Sequence, residues 1–168
     1  MTMKTDGGQN LFVRTLLPNP ATIAVERAEA LSDDNGTQPA MLDPIKFRLR
    51  VEAPGSPKTI RWLHVIQGAD GGGRADDATL VSSTAGTPYQ GASFNNTVVM
   101  FPVDIGTFAS LTYSAPASTK AQLVTGLAPG AGYKVTTQKS GDGIVTTVTP
   151  GGDQKADRGG VLMIGKLP

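Results

Sequence analysis

Cysteine is absent from all 168 residues, which excludes disulfides, zinc ribbons, thiol nucleophiles and iron–sulfur clusters together. Histidine and tryptophan occur once each, as His64 and Trp62. Any imidazole-based catalysis or metal ligation must therefore pass through His64. Charge is scarce and balanced: 17% of residues are charged, and 15 basic against 14 acidic side chains leave a net +1. Such a chain has no long-range field to draw in nucleic acid or an anionic membrane, and it lacks the basic clusters interleaved with aromatics that nucleic-acid grooves use. No apolar run reaches the length of a transmembrane helix. The stretch from Met1 to Asn10 is polar and unlike a signal peptide. We expect residues 1–9 to be disordered, or to be the artificial start of a piece cut from a longer chain, with residues 10–168 forming a single domain.

What is abundant instead is turn chemistry. Twenty-one glycines and twelve prolines describe a chain of many tight turns and few solvated helices. Leu11 to Leu17 is a compact apolar run stopped by Pro18 and Pro20, which reads as a strand. Thr22 to Leu31 mixes the strand-favouring TIAVE with the helix-favouring ERAEAL; the β-rich surroundings favour a strand. Ser32 to Pro44 reads as a loop. Lys46 to Glu52 alternates cleanly, with Phe47, Leu49 and Val51 facing one way and Lys46, Arg48, Arg50 and Glu52 the other.

Thr59 to Gln67, TIRWLHVIQ, also alternates, but both faces are largely apolar. That pattern predicts a central strand covered on both sides, pairing antiparallel with Lys46 to Glu52. Further strands are predicted over Thr79 to Ser83, Thr97 to Val103, Ser110 to Ser114, Ala121 to Thr125, Tyr133 to Lys139, Gly143 to Thr149 and Val161 to Ile164. Their short, regular spacing points to an all-β fold, a two-layer antiparallel β-sandwich of about ten strands, in part immunoglobulin- or fibronectin-like. Ser140 to Gly143 predicts a hairpin turn. Leu127, Pro129, Gly130 and Tyr133 have the spacing of a tyrosine corner, in which the phenol bonds back to the backbone where the chain crosses between sheets.

Candidate chemistry is thin. A serine triad would need His64 as base, with Ser82, Ser83, Ser93 or Ser110 as nucleophile and Asp70, Asp76 or Asp104 behind it, yet no Gly-x-Ser-x-Gly elbow occurs. The paired carboxylates Asp33 with Asp34 and Asp76 with Asp77 sit in polar loops, where solvation rather than tuning is expected. The loop GADGGGRADDA offers Asp70, Asp76 and Asp77 to a hard cation, but it lacks the ligand spacing of an EF-hand. It also lacks the strand-to-helix setting and the Gly-Lys-Ser or Gly-Lys-Thr of a phosphate loop. We expect no catalytic residue, metal or cofactor. The surface chemistry that remains is stacking on sugars, for which Trp62, Tyr89 and Tyr113 are available. Tyr89, in the turn-like TPYQG, is expected to be the exposed one; Tyr89 and Trp62 are the ligand-binding candidates.

Two segments taken together, GGQNLFVRTLLPNPATI and FRLRVEAPGSPKTIRWLHVIQGAD, resemble the C-terminal β-sandwich domain of heparinase II/III-type polysaccharide lyases. Thr15, Leu16, Leu17 and Pro18 match that family's opening strand motif. Trp62, Leu63, His64, Val65 and Ile66 match its Phe-Leu-His-Val-Leu strand, with Trp for Phe and Ile for Leu, and the resemblance returns weakly at Arg158 to Gly165. Such lyases abstract a proton beside a uronic acid carboxylate using an N-terminal helical toroid and a central sandwich, neither of which this sequence contains. The resemblance thus implies a non-catalytic accessory domain of a bacterial, periplasmic or secreted protein. It would pack on a catalytic domain, help hold an acidic polysaccharide, or self-associate. A small free-standing hydrolase with a non-standard site and a structural or adhesive module are the alternatives.

Overall fold

A computed structural model describes residues 1–27 and 47–167. Among them there is no helix, and fourteen strands follow in order: β1 (Thr2–Lys4), β2 (Asn10–Leu17), β3 (Thr22–Arg27), β4 (Phe47–Glu52), β5 (Leu63–Ala69), β6 (Ala78–Gly86), β7 (Tyr89–Phe94), β8 (Thr97–Pro102), β9 (Leu111–Pro116), β10 (Ala121–Val124), β11 (Gly132–Ser140), β12 (Gly143–Pro150), β13 (Gln154–Lys155) and β14 (Leu162–Gly165). The loop expected from Ser32 to Pro44 and the end of the Thr22 to Leu31 segment lie outside the described residues. Where one domain was expected, the chain divides into two compact units, Met1–Leu16 with Leu63–Pro168, and Leu17–Trp62.

The larger unit is built on a nine-stranded sheet in the order β13-β11-β12-β9-β6-β7-β8-β10-β14. Its pivot is β6. Ala78 to Ser82 pair with β7, Ser83 to Gly86 pair with β9, and the register shifts between Ser83 and Ala85. A bulge of this kind bends its strand, so β6 passes from one layer to the other. The first layer is β6-β7-β8-β10-β14 and the second β13-β11-β12-β9-β6. Both feed one core, with Tyr89, Val98, Met100 and Val124 from the first layer meeting Leu111, Tyr113, Tyr133 and Val148 from the second. The all-β sandwich expected from the sequence is therefore the fold. Within this sheet every ladder is antiparallel except β8 with β10, which run parallel.

All three tyrosine hydroxyls find partners in this interior, as burial of a phenol requires. Tyr113 Oη donates to Gln122 Oε1 at 2.7 Å, joining β9 of the second layer to β10 of the first. Tyr89 Oη donates to the Thr125 carbonyl at 3.0 Å. Tyr133 Oη accepts from the Ala128 N–H at 3.0 Å, five residues upstream, where the chain crosses from β10 to β11. That is the tyrosine-corner geometry anticipated from Leu127 to Tyr133. The return crossing, residues 156–161, bonds to the same turn: Gly160 O accepts from Leu127 N–H at 3.0 Å, and Ala156 O from Gly130 N–H at 3.1 Å.

Three features correct the sequence reading. Residues 1–9 are not a loose leader, because β1 pairs with β2 and the Met1 ammonium donates to Val13 O at 2.8 Å. The segment around Trp62 is no covered central strand. It begins only at Leu63, as β5, and forms the edge of a three-stranded sheet β1-β2-β5 with Ile66 63% exposed. And β4 pairs with β3, not with β5.

Among the described residues, the smaller unit is built on that β3–β4 pair. Its register puts Glu26, Arg48, Arg50 and Glu52 on one face and Ile23, Val25, Leu49 and Val51 on the other. Arg48 reaches Glu26 at 2.7 Å and Arg50 reaches it at 3.0 Å. The hydrogen bond from Arg48, aided by the charge of Arg50, holds the Glu26 carboxyl below its ordinary pKa.

Candidate docking face and end cleft

Each layer of the sandwich has an inner and an outer face, and alternation fixes which residues lie on each. On the outer face of the first layer, Leu80, Ala92, Val99, Leu123 and Met163 are directly paired, strand to strand, into one row across β6, β7, β8, β10 and β14. Phe101 stands two residues along β8 from Val99, on the same face. Ala92 is buried, consistent with the packing of β5 against β7. Leu80, Phe101 and Met163 remain 38%, 44% and 53% exposed. The corresponding outer row of the second layer is Thr136, Thr147 and Thr112, in which the hydroxyls of Thr112 and Thr147 share a hydrogen bond at 3.0 Å.

At the end of the sandwich where the chain crosses between layers lies an open cleft of about 450 Å³. Gly106, Thr107 and Phe108 from the β8–β9 loop form one wall, and Gly126, Ala128 and Tyr133 from the β10–β11 crossing form another. No charged side chain lines it. Phe108 is half-buried and meets Tyr133 edge-to-face at 5.6 Å and Tyr89 at 6.1 Å.

The residues singled out from the sequence are distributed differently. Tyr89 is not in an exposed loop: it opens β7 at 2% exposure, and its ring is spent on the core, which leaves no face for a sugar. Burial, and next to it the neighbouring Tyr133, push its hydroxyl above the ordinary phenol pKa. Trp62 is 46% exposed and belongs to the Leu17–Trp62 unit. Tyr113 is fully buried, and desolvation pushes its pKa up. His64 Nδ1 lies 3.0 Å from Oγ1 of Thr15 on β2. In the glycine-rich loop, Asp76 is held by Gln67, whose Oε1 accepts from Asp76 N–H at 2.9 Å, and Asp77 faces Arg14 at 3.6 Å. Among the described residues no three His, Asp or Glu side chains gather closely enough to hold a metal ion. Phe108 was missed in the sequence, and the only signal for it was an aromatic inside a run of turn residues, Asp104 to Ala109. Comparison with protein-family models, curated proteins and solved structures finds no match.

Proposed function

We propose that this chain is a non-catalytic accessory β-sandwich domain of a carbohydrate-active, polysaccharide lyase-like protein, which seats the outer face of its first layer against a catalytic domain. The observation that carries this reading is the aligned apolar row from Leu80 to Met163, flanked by Phe101, in which Leu80, Phe101 and Met163 are exposed. The choice of parent rests on the resemblance of two segments to heparinase II/III-type lyases, and Thr15 and His64 belong to these segments. Each comes from a different one of the two resembling segments, and they meet at 3.0 Å between neighbouring strands, so the shared residues have an architectural role.

Size argues for a tethered partner. The exposed parts of Leu80, Phe101 and Met163 amount to roughly 300 Å², taking apolar side chains at about 150–250 Å² each. A free-standing complex buries about 800 Å² per partner, whereas domains linked in one protein hold together through smaller contacts because the tether keeps their effective concentration high. The test is titration of the ¹⁵N-labelled chain with the toroid-and-sandwich catalytic portion of a heparinase II/III-type lyase, up to ~1 mM. Shifts at Leu80, Val99, Phe101 and Met163 that vanish in the Phe101→Lys, Met163→Lys variant are expected. No shift at that concentration, or shifts unaffected by the variant, would reject the proposed seat.

A further inference from the structure

The cleft at the end of the sandwich has a chemistry that the outer face lacks, and from it we infer that the chain binds a neutral sugar ring against Phe108. Four observations lead there. The volume, about 450 Å³, lies within the range of small-ligand sites and has room for one or two six-membered rings. Phe108 lines the cleft while partly buried, and its edge-to-face contacts with Tyr89 and Tyr133 fix the ring in place. A rigid aromatic wall suits the C–H face of a pyranose. Around it stand hydrogen-bonding groups rather than charges. Thr107 brings a hydroxyl, and the backbone of Gly106, Thr107 and Phe108 lies outside every ladder.

Charge decides the class of sugar. The walls offer no cation to pair a uronate carboxylate, whereas they do offer uncharged groups that can hydrogen-bond the hydroxyls of a neutral ring. The cleft therefore selects neutral rings, although the resemblance to uronate-cleaving lyases points to acidic glycans. The ring contact also moves from the sequence candidates Tyr89 and Trp62 to Phe108. This deepens the glycan-holding side of the accessory-domain reading and rests on that reading for the choice of a sugar over another uncharged ligand. It uses a surface separate from the docking row, so either test can fail without the other.

The experiment is ¹H–¹⁵N NMR titration of the full chain with xylohexaose and cellohexaose as neutral probes, a hexagalacturonate as acidic probe, and a polyproline peptide, each to ~10 mM. Amide shifts at Gly106, Thr107, Phe108, Gly126 and Gly132 with a neutral hexasaccharide, and none there with the uronate, are expected. Phe108→Ala should weaken binding by roughly tenfold, the scale of one aromatic stacking contact. If that variant unfolds, Phe108→Leu retains apolar volume, removes the flat face, and should show the same loss. Four results overturn the inference: no cleft shifts with either neutral sugar, equal or stronger shifts with the uronate, cleft shifts with polyproline alone, or sugar-dependent shifts centred on the Trp62 indole.

Discussion

The two outer faces of the sandwich are built on the same pleat and differ in what the alternate residues are. The first layer turns Leu80, Val99, Phe101, Leu123 and Met163 outward beside Ser82, Gln90 and Thr97, and the second turns Thr112, Thr136, Thr147, Lys134 and Gln138 outward beside Val145. Both layers are apolar inward, where Val98 and Met100 face Leu111 and Val148 with no measurable exposure. The second layer is therefore an ordinary half-buried sheet, finished by solvent. The first carries an apolar row on its outer side as well, bordered by Gln90 opposite Phe101, and such a row suits a partial cover. The chain supplies part of that cover through β5 against β7 and leaves the rest open.

The most destructive way to break this comparison is to separate β7 from β8, the strands at the centre of the apolar row. A Cβ at Gly91 would run into the Val99 carbonyl oxygen. Gly91→Ala should cost about 3 kcal/mol or more, because backbone rather than a flexible side chain must yield, and thermal unfolding monitored by circular dichroism would register it. A milder break loosens one layer from the other. Tyr113→Phe removes the hydroxyl bonded to Gln122, a side chain only 5% exposed, and leaves its carbonyl oxygen without that donor. A loss of about 1–3 kcal/mol in urea unfolding is expected. An unchanged midpoint would mean that the inter-layer hydrogen bond contributes nothing.

The same interior predicts an alkaline limit. Desolvation raises the pKa values of Tyr113 and Tyr89 in the folded chain above the ordinary phenol value of 10.0. Their contribution is fully present below that value. As pH rises past it the unfolded chain loses its phenol protons first, so stability falls progressively through the folded-state pKa values. Tyrosinate absorbance should therefore rise together with unfolding, not ahead of it. Two of the three tyrosines ionising in a chain that is still folded would contradict this picture.

Much of the architecture was legible because alternation and turn chemistry are local. The alternation read from Lys46 to Glu52 holds over Phe47–Glu52 as β4, the Gly141–Asp142 turn closed β11 onto β12, and Leu127 to Tyr133 gave the tyrosine corner. Pairing was not legible, since nothing in a strand's own pattern names its neighbour, and β4 therefore joined β3 instead of β5. β7 was invisible for a physical reason. Its Gly91 and small Ala92 and Ser93 let β8 approach closely, and the same residues read as a loop in sequence, which placed Tyr89 outside when it is inside. The end cleft was hidden for a related reason: its walls are turns, and only the crossing geometry brings Phe108 beside Tyr133.

The smallest change in stability should accompany the sharpest test of the two faces. Phe101→Lys with Met163→Lys replaces two half-exposed apolar residues by charges and should move the unfolding free energy by no more than about 0.5 kcal/mol per site, because neither residue belongs to the core. Binding of an apolar dye should fall, together with any concentration-dependent rise in sedimentation coefficient. Thr136→Val with Thr147→Val makes the opposite exchange on the second layer, gives strand residues of similar shape, and should be equally mild for stability while raising dye binding and association. If the lysine pair leaves association unchanged and the valine pair leaves it low, the row from Leu80 to Met163 is ordinary scattered surface and the asymmetry between the layers has no consequence for partners.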